Sequence, residues 1–227
     1  MSFERIERVL SVVLSVATVV LIALVLRREF APVEASAQRL TAPVFIPEWR
    51  SFLSHGMPDH NEQAAVQILE FADFECPACR LYQTVLSRVQ ERFGSAVSVV
   101  YFHFPIEYHR FARIAARAAE CAKDEGKFWE MANSLYLNQD SLGLKQWSSL
   151  ARESGIRDTV VFVACVDKTD PLLAVDSGIA IGKRIKLTGT PTIIVNGWRF
   201  PRPPSEEVLV QTVSDLLAGK NPQGKDR

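Results

Sequence analysis

A chain of 227 residues, 48% of them hydrophobic and 23% charged, has the material for one sizeable core. Lys+Arg and Asp+Glu number 26 each, so the formal net charge is zero, and neither a nucleic-acid surface nor an acidic substrate is indicated. Four cysteines are too few to staple a fold of this size, so at least one pair is expected to do chemistry.

After a short tail, 1–8, the run from Val9 to Leu26 has no charge, proline or glycine, and only Ser11, Ser15 and Thr18 relieve it. At about 1.5 Å per residue such a helix just spans a hydrocarbon core of roughly 30 Å. One N-terminal transmembrane helix over 9–26 is therefore expected. A cleaved signal peptide is the competing reading, because Ala35-Ser36-Ala37 offers an Ala-x-Ala site. The run exceeds a usual h-region, and Arg27-Arg28-Glu29 interrupt the approach to that site, which favours an uncleaved anchor. Arg5 and Arg8 balance Arg27 and Arg28, so charge does not set the orientation.

Residues 27–63 carry Pro32, Pro43, Pro47 and Pro58 among polar residues and read as a membrane-proximal spacer. Val44, Phe45, Ile46, Trp49, Phe52 and Leu53 are expected to dock its second half on the domain. His55 and His60 have no neighbour at ligand spacing and are expected at the surface.

Val66 to Phe74 is a near-continuous apolar run, which marks a central strand. Glu70 shares a face with Val66, Ile68 and Ala72, so it is expected to be a buried carboxylate with a raised pKa. The strand leads into Cys76-Pro77-Ala78-Cys79. Apolar residues then recur at helical spacing: Leu81, Tyr82, Val85, Leu86, Val89 and Phe93. Pro77 suits the first turn of that helix, where its missing N–H removes no bond. Unpaired amides and the positive end of the helix dipole face the Cys76 sulfur and favour thiolate over thiol. A lowered thiol pKa is what disulfide exchange needs, so this stretch reads as a redox site. Glu70 would relay a proton to or from Cys79.

Val97 to Phe104, closed by Pro105, is a second strand that makes a right-handed βαβ unit with the first. His103 is expected to be a core or edge histidine. From Ile106 to about Arg184 the pattern turns helical for too long to be one crossover. Helices are predicted over Phe111–Lys123, Phe128–Leu137 and Leu144–Glu153, then over Thr159–Val166 behind an Asp158 cap, and finally from Asp170-Pro171 onward. Residues 106–185 therefore read as a helical domain inserted between 64–105 and 186–219, with Phe128, Trp129 and Trp147 in its core. Cys121 and Cys165 sit on two of its helices. Two readings stand for them, buried free thiols or a structural disulfide. Thr192 to Asn196 is a strand turned by Asn196-Gly197 into Trp198-Arg199-Phe200. Ser205 caps a final helix that ends at Gly219, and 220–227 is a polar tail.

These residues resemble the thioredoxin fold, and in particular the DsbA-like branch of thiol-disulfide oxidoreductases. The likeness rests on the Cys-Pro-Ala-Cys, on Gly189-Thr190-Pro191-Thr192 before Ile193-Ile194-Val195-Asn196-Gly197, and on Glu120-Cys121-Ala122 with Gly126-Lys127-Phe128-Trp129-Glu130-Met131. Glu70, six positions before Cys76, completes it, and the match runs from about Ala64 to Leu217. The resemblance implies an α/β thioredoxin fold with an inserted helical domain, and a carboxylate below the disulfide at Glu70. It also implies that Trp49 packs in a lead-in segment. An X-Pro bond is ordinarily trans, but the resemblance implies a cis bond at Pro191, with Thr190 lining the site and its backbone open to an extended client. Ala78 departs from the strongest oxidants of the branch, which have histidine there. A weaker oxidant is therefore expected.

The function expected is disulfide exchange with exported proteins that carry cysteines, outside the cytoplasm, from the bacterial inner membrane with the domain in the periplasm. Oxidase outranks isomerase and reductase, because the spacer is too short for the dimerisation domain an isomerase needs. A membrane partner would recycle the pair, a quinone-linked thiol oxidase for an oxidant. No cofactor is expected. A zinc centre would need two more ligands, and the remaining cysteines stand singly and far apart. A peptide-binding module without catalysis is disfavoured by two intact motif cysteines.

Overall fold

The computed structural model describes residues 3–29, 42–59 and 61–222, leaving aside the side chains of 3–10 and 26–29. His60, Ala35-Ser36-Ala37 and the tail beyond 222 lie outside the described residues. The chain forms two units, Met1–Ala42 and Pro43–Arg227. The described part of the first is a single helix, α1 (Phe3–Glu29), with the side chains of 11–25 exposed. Among the described residues no helix is long and apolar enough to cross a membrane.

The second unit is built on a six-stranded sheet. Its centre is β3 (Val66–Ala72), parallel to β4 (Val97–His103) and antiparallel to β5 (Thr192–Val195). Every residue of β3 and β4 is buried, which is why both read as nearly unbroken apolar runs. β3 stops at Ala72 rather than Phe74, because Asp73 turns the chain. The Asp73 carbonyl accepts the Cys76 amide at 3.1 Å and its carboxylate accepts the Glu75 amide at 2.8 Å. β6 (Trp198–Arg199) continues from β5 through the Asn196-Gly197 turn, both residues of which have positive φ.

Two strands that the sequence pattern does not announce close the sheet edges. β1 (Val44–Phe45) pairs with β6, and β2 (Met57–Pro58) pairs with β4, giving the order β1-β6-β5-β3-β4-β2. The segment read as the second half of a spacer therefore reaches from one edge of the sheet to the other. Between its strands a 3-10 turn, Trp49–His55, buries Trp49 and Phe52 in the cluster formed by Leu69, Phe71, Val100 and Phe102. Ile46 is buried with them, but Val44 and Phe45 stay exposed as edge residues. Gly197 is required here: a Cβ would lie 2.4 Å from the Trp49 ring. Pro58 suits an edge, where no ladder N–H is missed.

On the opposite face, α2 (Pro77–Phe93) and α8 (Glu206–Leu217) pack over Val66, Ile68, Val97 and Val99. Ser205 caps α8 by accepting the Val208 amide. Leu81, counted by its spacing with the apolar side of α2, is 71% exposed, while Cys79, Tyr82, Leu86 and Val89 are buried. Four helices follow β4: α3 (Ala112–Lys123), α4 (Phe128–Leu137), α5 (Trp147–Glu153) and α6 (Thr159–Val166). They share one core with Ala72, Phe74 and Tyr101, in which Phe128 is fully buried and Trp129 and Trp147 partly so. α5 starts at Trp147, not Leu144. Gly143 takes positive φ and Leu144 projects into solvent at 85% exposure. Asp158 caps α6 by accepting two amides. Cys121 and Cys165 form a disulfide between α3 and α6, with Cα atoms 6.0 Å apart. Of the two readings open for this pair, the structural disulfide is the one found.

α7 (Leu173–Arg184) begins after Asp170-Pro171 and meets α3 through the Arg113–Asp176 ion pair at 3.0 Å. Its Ile181, with Ile185 just beyond it, packs with Phe71 and Phe102 on the Trp49 side of the sheet. Gly178 makes this possible, since a Cβ there would meet the His103 carbonyl oxygen at 2.1 Å.

Candidate active site

The Asp73 turn delivers Cys76 to the N-cap of α2, in an extended conformation, with Pro77 at the first helical position. Pro77 and Ala78 are exposed, Cys76 is 6% exposed and Cys79 is fully buried, and both cysteines are free thiols. The Cys76 thiol is lowered to about 5. The hydrogen bond from Cys79 contributes most, Thr190 and the amides of Cys79 and Ala78 add to it, and burial opposes it. The Cys79 thiol is pushed far above its ordinary range, first by burial, then by its hydrogen bond to Cys76 and the charge of Glu70. The two sulfurs are thus separated into a ready thiolate and a reluctant one. This is the division of labour that exchange through a mixed disulfide uses.

Glu70 has no exposed surface. Burial raises its carboxyl to about 8, although the Gln83 amide donates to both of its oxygens at 3.0 and 3.1 Å. Its charge is felt at Cys79. The Thr190–Pro191 bond is cis, and the Cys76 thiol donates to the Thr190 carbonyl at 3.4 Å. The structure therefore brings Cys76, Cys79, Glu70, Pro77, Ala78, Thr190 and Pro191 into one site. Cys121 and Cys165 belong to the inserted helices. His103 is buried and meets Glu120 at 3.0 Å, as a core histidine.

Sequence reasoning missed three residues that hold the site. Gln139, on the turn after α4, donates its side-chain amide to the Phe74 carbonyl at 2.7 Å and the Cys76 carbonyl at 3.0 Å. No pattern flags it. Asp73 is buried, and besides making the turn it accepts the Ile106 amide at 2.8 Å and meets His109 Nδ1 at 2.7 Å. A charged residue closing an apolar strand just before the motif was the available signal for Asp73. His109 stands on a loop whose place depends wholly on the tertiary fold. Beside the Pro191 loop a cavity of about 550 Å³ opens, lined by Phe104, Ile106, Tyr108, Ile179, Leu187 and Gly189 among others. Among the described residues no group of three or more His, Cys, Asp or Glu is placed to hold a metal ion.

The family model described as Thioredoxin matches residues 60–215. Among solved structures, oxidised BdbD from Bacillus subtilis superimposes with a TM-score of 0.66 at 19% identity, covering 79% of this chain and 97% of that one. A thioredoxin-like oxidoreductase from Silicibacter pomeroyi gives 0.61 at 22% identity over 74% of this chain and 94% of its own. Pseudomonas aeruginosa DsbA2 gives 0.56 at 24% identity over 72% and 94%. These likenesses concern the fold. A protein named Na(+)/H(+) antiporter NhaA 1 from Mycolicibacterium vanbaalenii is 33% identical over 161 residues, 66% of this chain and 25% of that protein. The chain thus spans about a quarter of the length of the relatives of that name that it matches.

Proposed function

This chain belongs to the thioredoxin family, and from that premise we propose that it is a thiol-disulfide oxidoreductase that exchanges disulfides with protein thiols through Cys76 and Cys79. One observation carries the reading: a thiol lowered to about 5 at a helix N-terminus stands beside a fully buried partner thiol and the buried Glu70.

The favoured direction is oxidation of client thiols. A client thiolate attacks Cys76 in the Cys76–Cys79 disulfide, and Cys79 leaves as a thiolate that takes the Glu70 proton. A second client thiolate attacks the client sulfur of the mixed disulfide, which releases the client's new disulfide and the Cys76 thiolate. The two electrons given up by the client remain on the dithiol, for a membrane redox partner to remove. An extended client segment would lie along Thr190 and into the neighbouring cavity, pairing by strand addition.

We further read α1 as an anchor, on the strength of the uncharged run Val9–Leu26, with the domain outside the cytoplasm at the bacterial inner membrane. Clients would be exported proteins with cysteines.

The test mixes the oxidised full chain in detergent with a reduced, unfolded cysteine-containing protein. The expected result is stoichiometric disulfide transfer, lost in Cys76→Ser, while Cys79→Ser given a disulfide-bonded client instead is trapped as a mixed disulfide when the Cys76 thiolate attacks that disulfide and a client thiolate leaves. No transfer from the wild-type chain at any client ratio would refute the reading.

A further inference from the structure

The cavity of about 550 Å³ beside the Pro191 loop falls within the roughly 300–1,000 Å³ of ordinary ligand pockets. Its apolar wall is packed in place before any client arrives. Phe104 and Leu187 close over Gly182, where a Cβ would lie 2.3 Å from the Phe104 ring and 3.3 Å from Leu187. Half-buried Ile106 and Ile179 complete that wall. Asp73 accepts the Ile106 amide at 2.8 Å, so the wall is pinned to the turn that presents Cys76. At the other end Gly189 lines the cavity, and a Cβ there would meet nothing within 4 Å. Its chain neighbour Thr190 accepts from the Cys76 thiol at 3.4 Å. An extended client advances only about 3.3 Å per residue, so the residues that enter are those flanking its reacting cysteine. The charge of the lining is one-sided: His109, Arg110, Arg113 and Lys183 are basic, and Glu107 alone is acidic. Asp73 meets His109 at 2.7 Å and Asp176 meets Arg113 at 3.0 Å. Arg110 lies over the Phe111 ring and Lys183 stands in the last turn of α7. Both are exposed, and neither has a carboxylate partner among the described residues.

We propose that this cavity sets client choice: it takes an apolar or aromatic side chain next to the client cysteine, and Arg110 and Lys183 hold a neighbouring carboxylate. The inference rests on reading Cys76–Cys79 as the site of client oxidation, and it adds no step to that exchange. An apolar side chain alone fills the wall and leaves both cations in solvent as before. A neighbouring acid gives them the partner that this chain does not supply. A neighbouring base brings a third positive charge to the rim, with only Glu107 to meet it. An exposed charge pair shifts an equilibrium by no more than about fivefold. Two such pairs therefore give a preference of roughly tenfold, which grades clients without excluding any.

The test uses the oxidised full chain in detergent and short peptides that carry two cysteines. Phe-Glu, Phe-Gln, Phe-Lys or Ala-Glu stands beside the first cysteine, before it in one set and after it in another. In at least one set the Phe-Glu peptide is expected to be oxidised roughly tenfold faster than Phe-Lys at about 0.01 M salt, with the difference in KM rather than kcat. The ratio should fall toward unity at about 1 M salt, where the screening length shrinks from about 30 Å to about 3 Å. The double variant Arg110→Gln, Lys183→Gln should lose the preference for Glu over Lys and keep that for Phe over Ala, and Ile179→Ala should do the opposite. Each ratio is taken within one variant, so a change in thiol reactivity cancels. Equal rates for the three Phe peptides in both sets would overturn the proposal. So would a preference that survives the double variant, or a preference for Phe-Lys that Glu107→Gln removes. The same peptides with serine for cysteine, followed by fluorescence anisotropy, separate this reading from the one beneath it. Binding that favours Phe-Glu without any oxidation of the cysteine peptides would sink the exchange and keep the selective cavity. Oxidation without preference would keep the exchange and sink the selection, and neither oxidation nor selective binding would sink both.

Discussion

The side-chain amide of Gln139 donates to the backbone carbonyl of Cys76 at 3.0 Å, tying the turn after α4 to the N-cap of the redox helix. Its second donor holds the Phe74 carbonyl at 2.7 Å, so one side chain grips the loop on both sides of Glu75. Gln139→Leu leaves the Phe74 carbonyl without that donor, at about 1–3 kcal/mol if nothing replaces it, while the Cys76 carbonyl keeps the Cys79 and Arg80 amides. We expect a stability loss near 2 kcal/mol in urea and an upward move of the Cys76 thiolate titration at 240 nm as the loop loosens. Asp140→Asn next door removes the Arg80 ion pair, whose carboxylate side chain is 86% exposed, and should change stability by less than about 1 kcal/mol. Equal effects from the two variants would mean that the turn acts through charge rather than through the clamp.

The reduction potential follows from the Cys76 thiolate. With its pKa lowered from 9.0 to about 5, the folded dithiol form gains stability above pH 5, and that gain is lost as pH falls through about 5. The disulfide form has no thiolate to stabilise, so the low pKa makes the pair more oxidising. Thioredoxin combines a pKa of about 7 with about −270 mV, and DsbA about 3.5 with about −120 mV. At roughly 30 mV per pKa unit, scaling from either end places this pair between about −210 and −165 mV. Solvent at the mouth screens part of the effect, which favours the lower end. The measurement is equilibrium with a glutathione buffer at pH 7. A value at or below about −270 mV would make the chain a reductant and sink the oxidase direction.

Much of this site is local in sequence, and that is why it was legible. An apolar strand, a proline-bearing Cys-x-x-Cys and an amphipathic helix follow one another without a break, so Cys76 and Cys79 fall at a helix N-terminus on spacing alone. Glu70 betrayed itself as one charge on a buried strand face. Pro191 needed the family resemblance, since nothing local distinguishes a cis from a trans bond. The edge strands β1 and β2 were illegible because two residues cannot display an alternation. Leu144 was drawn into a helix by its apolarity, and Leu81 into a buried face by its spacing. Gln139 and His109 reach the site only through the packing of the inserted helices, which no spacing encodes.

The Cys121–Cys165 bridge closes a loop with a sequence separation of 44. Loop-closure entropy alone sets an upper figure of about 4 kcal/mol for its contribution. The double variant Cys121→Ala, Cys165→Ala should lower the urea-unfolding free energy by about 2–4 kcal/mol while client oxidation persists, because the bridge ties α3 to α6 and not to the redox turn. Loss of exchange activity in a variant that still folds would place this pair in the redox pathway, as a second relay.

The stability of the protein should depend on pH through Glu70, with a defined sign. Burial raises the carboxyl from 4.5 to about 8, so the folded state holds a proton that the unfolded chain releases. Between pH 4.5 and 8 the folded state therefore binds more protons, and stability falls as pH rises. At about 1.4 kcal/mol per unit the full loss by pH 8 is up to about 5 kcal/mol. In the dithiol form the Cys76 thiolate works in the opposite sense between about 5 and 9 and masks part of the slope. The disulfide form is the clean test, since neither cysteine titrates there and burial, the largest cause of the Glu70 shift, remains. Urea midpoints of the oxidised chain at pH 5, 6.5 and 8 should decline, and Glu70→Gln should flatten the decline and be the more stable protein at pH 8. A decline that survives Glu70→Gln unchanged would assign the titration to another group and remove Glu70 from the proton account.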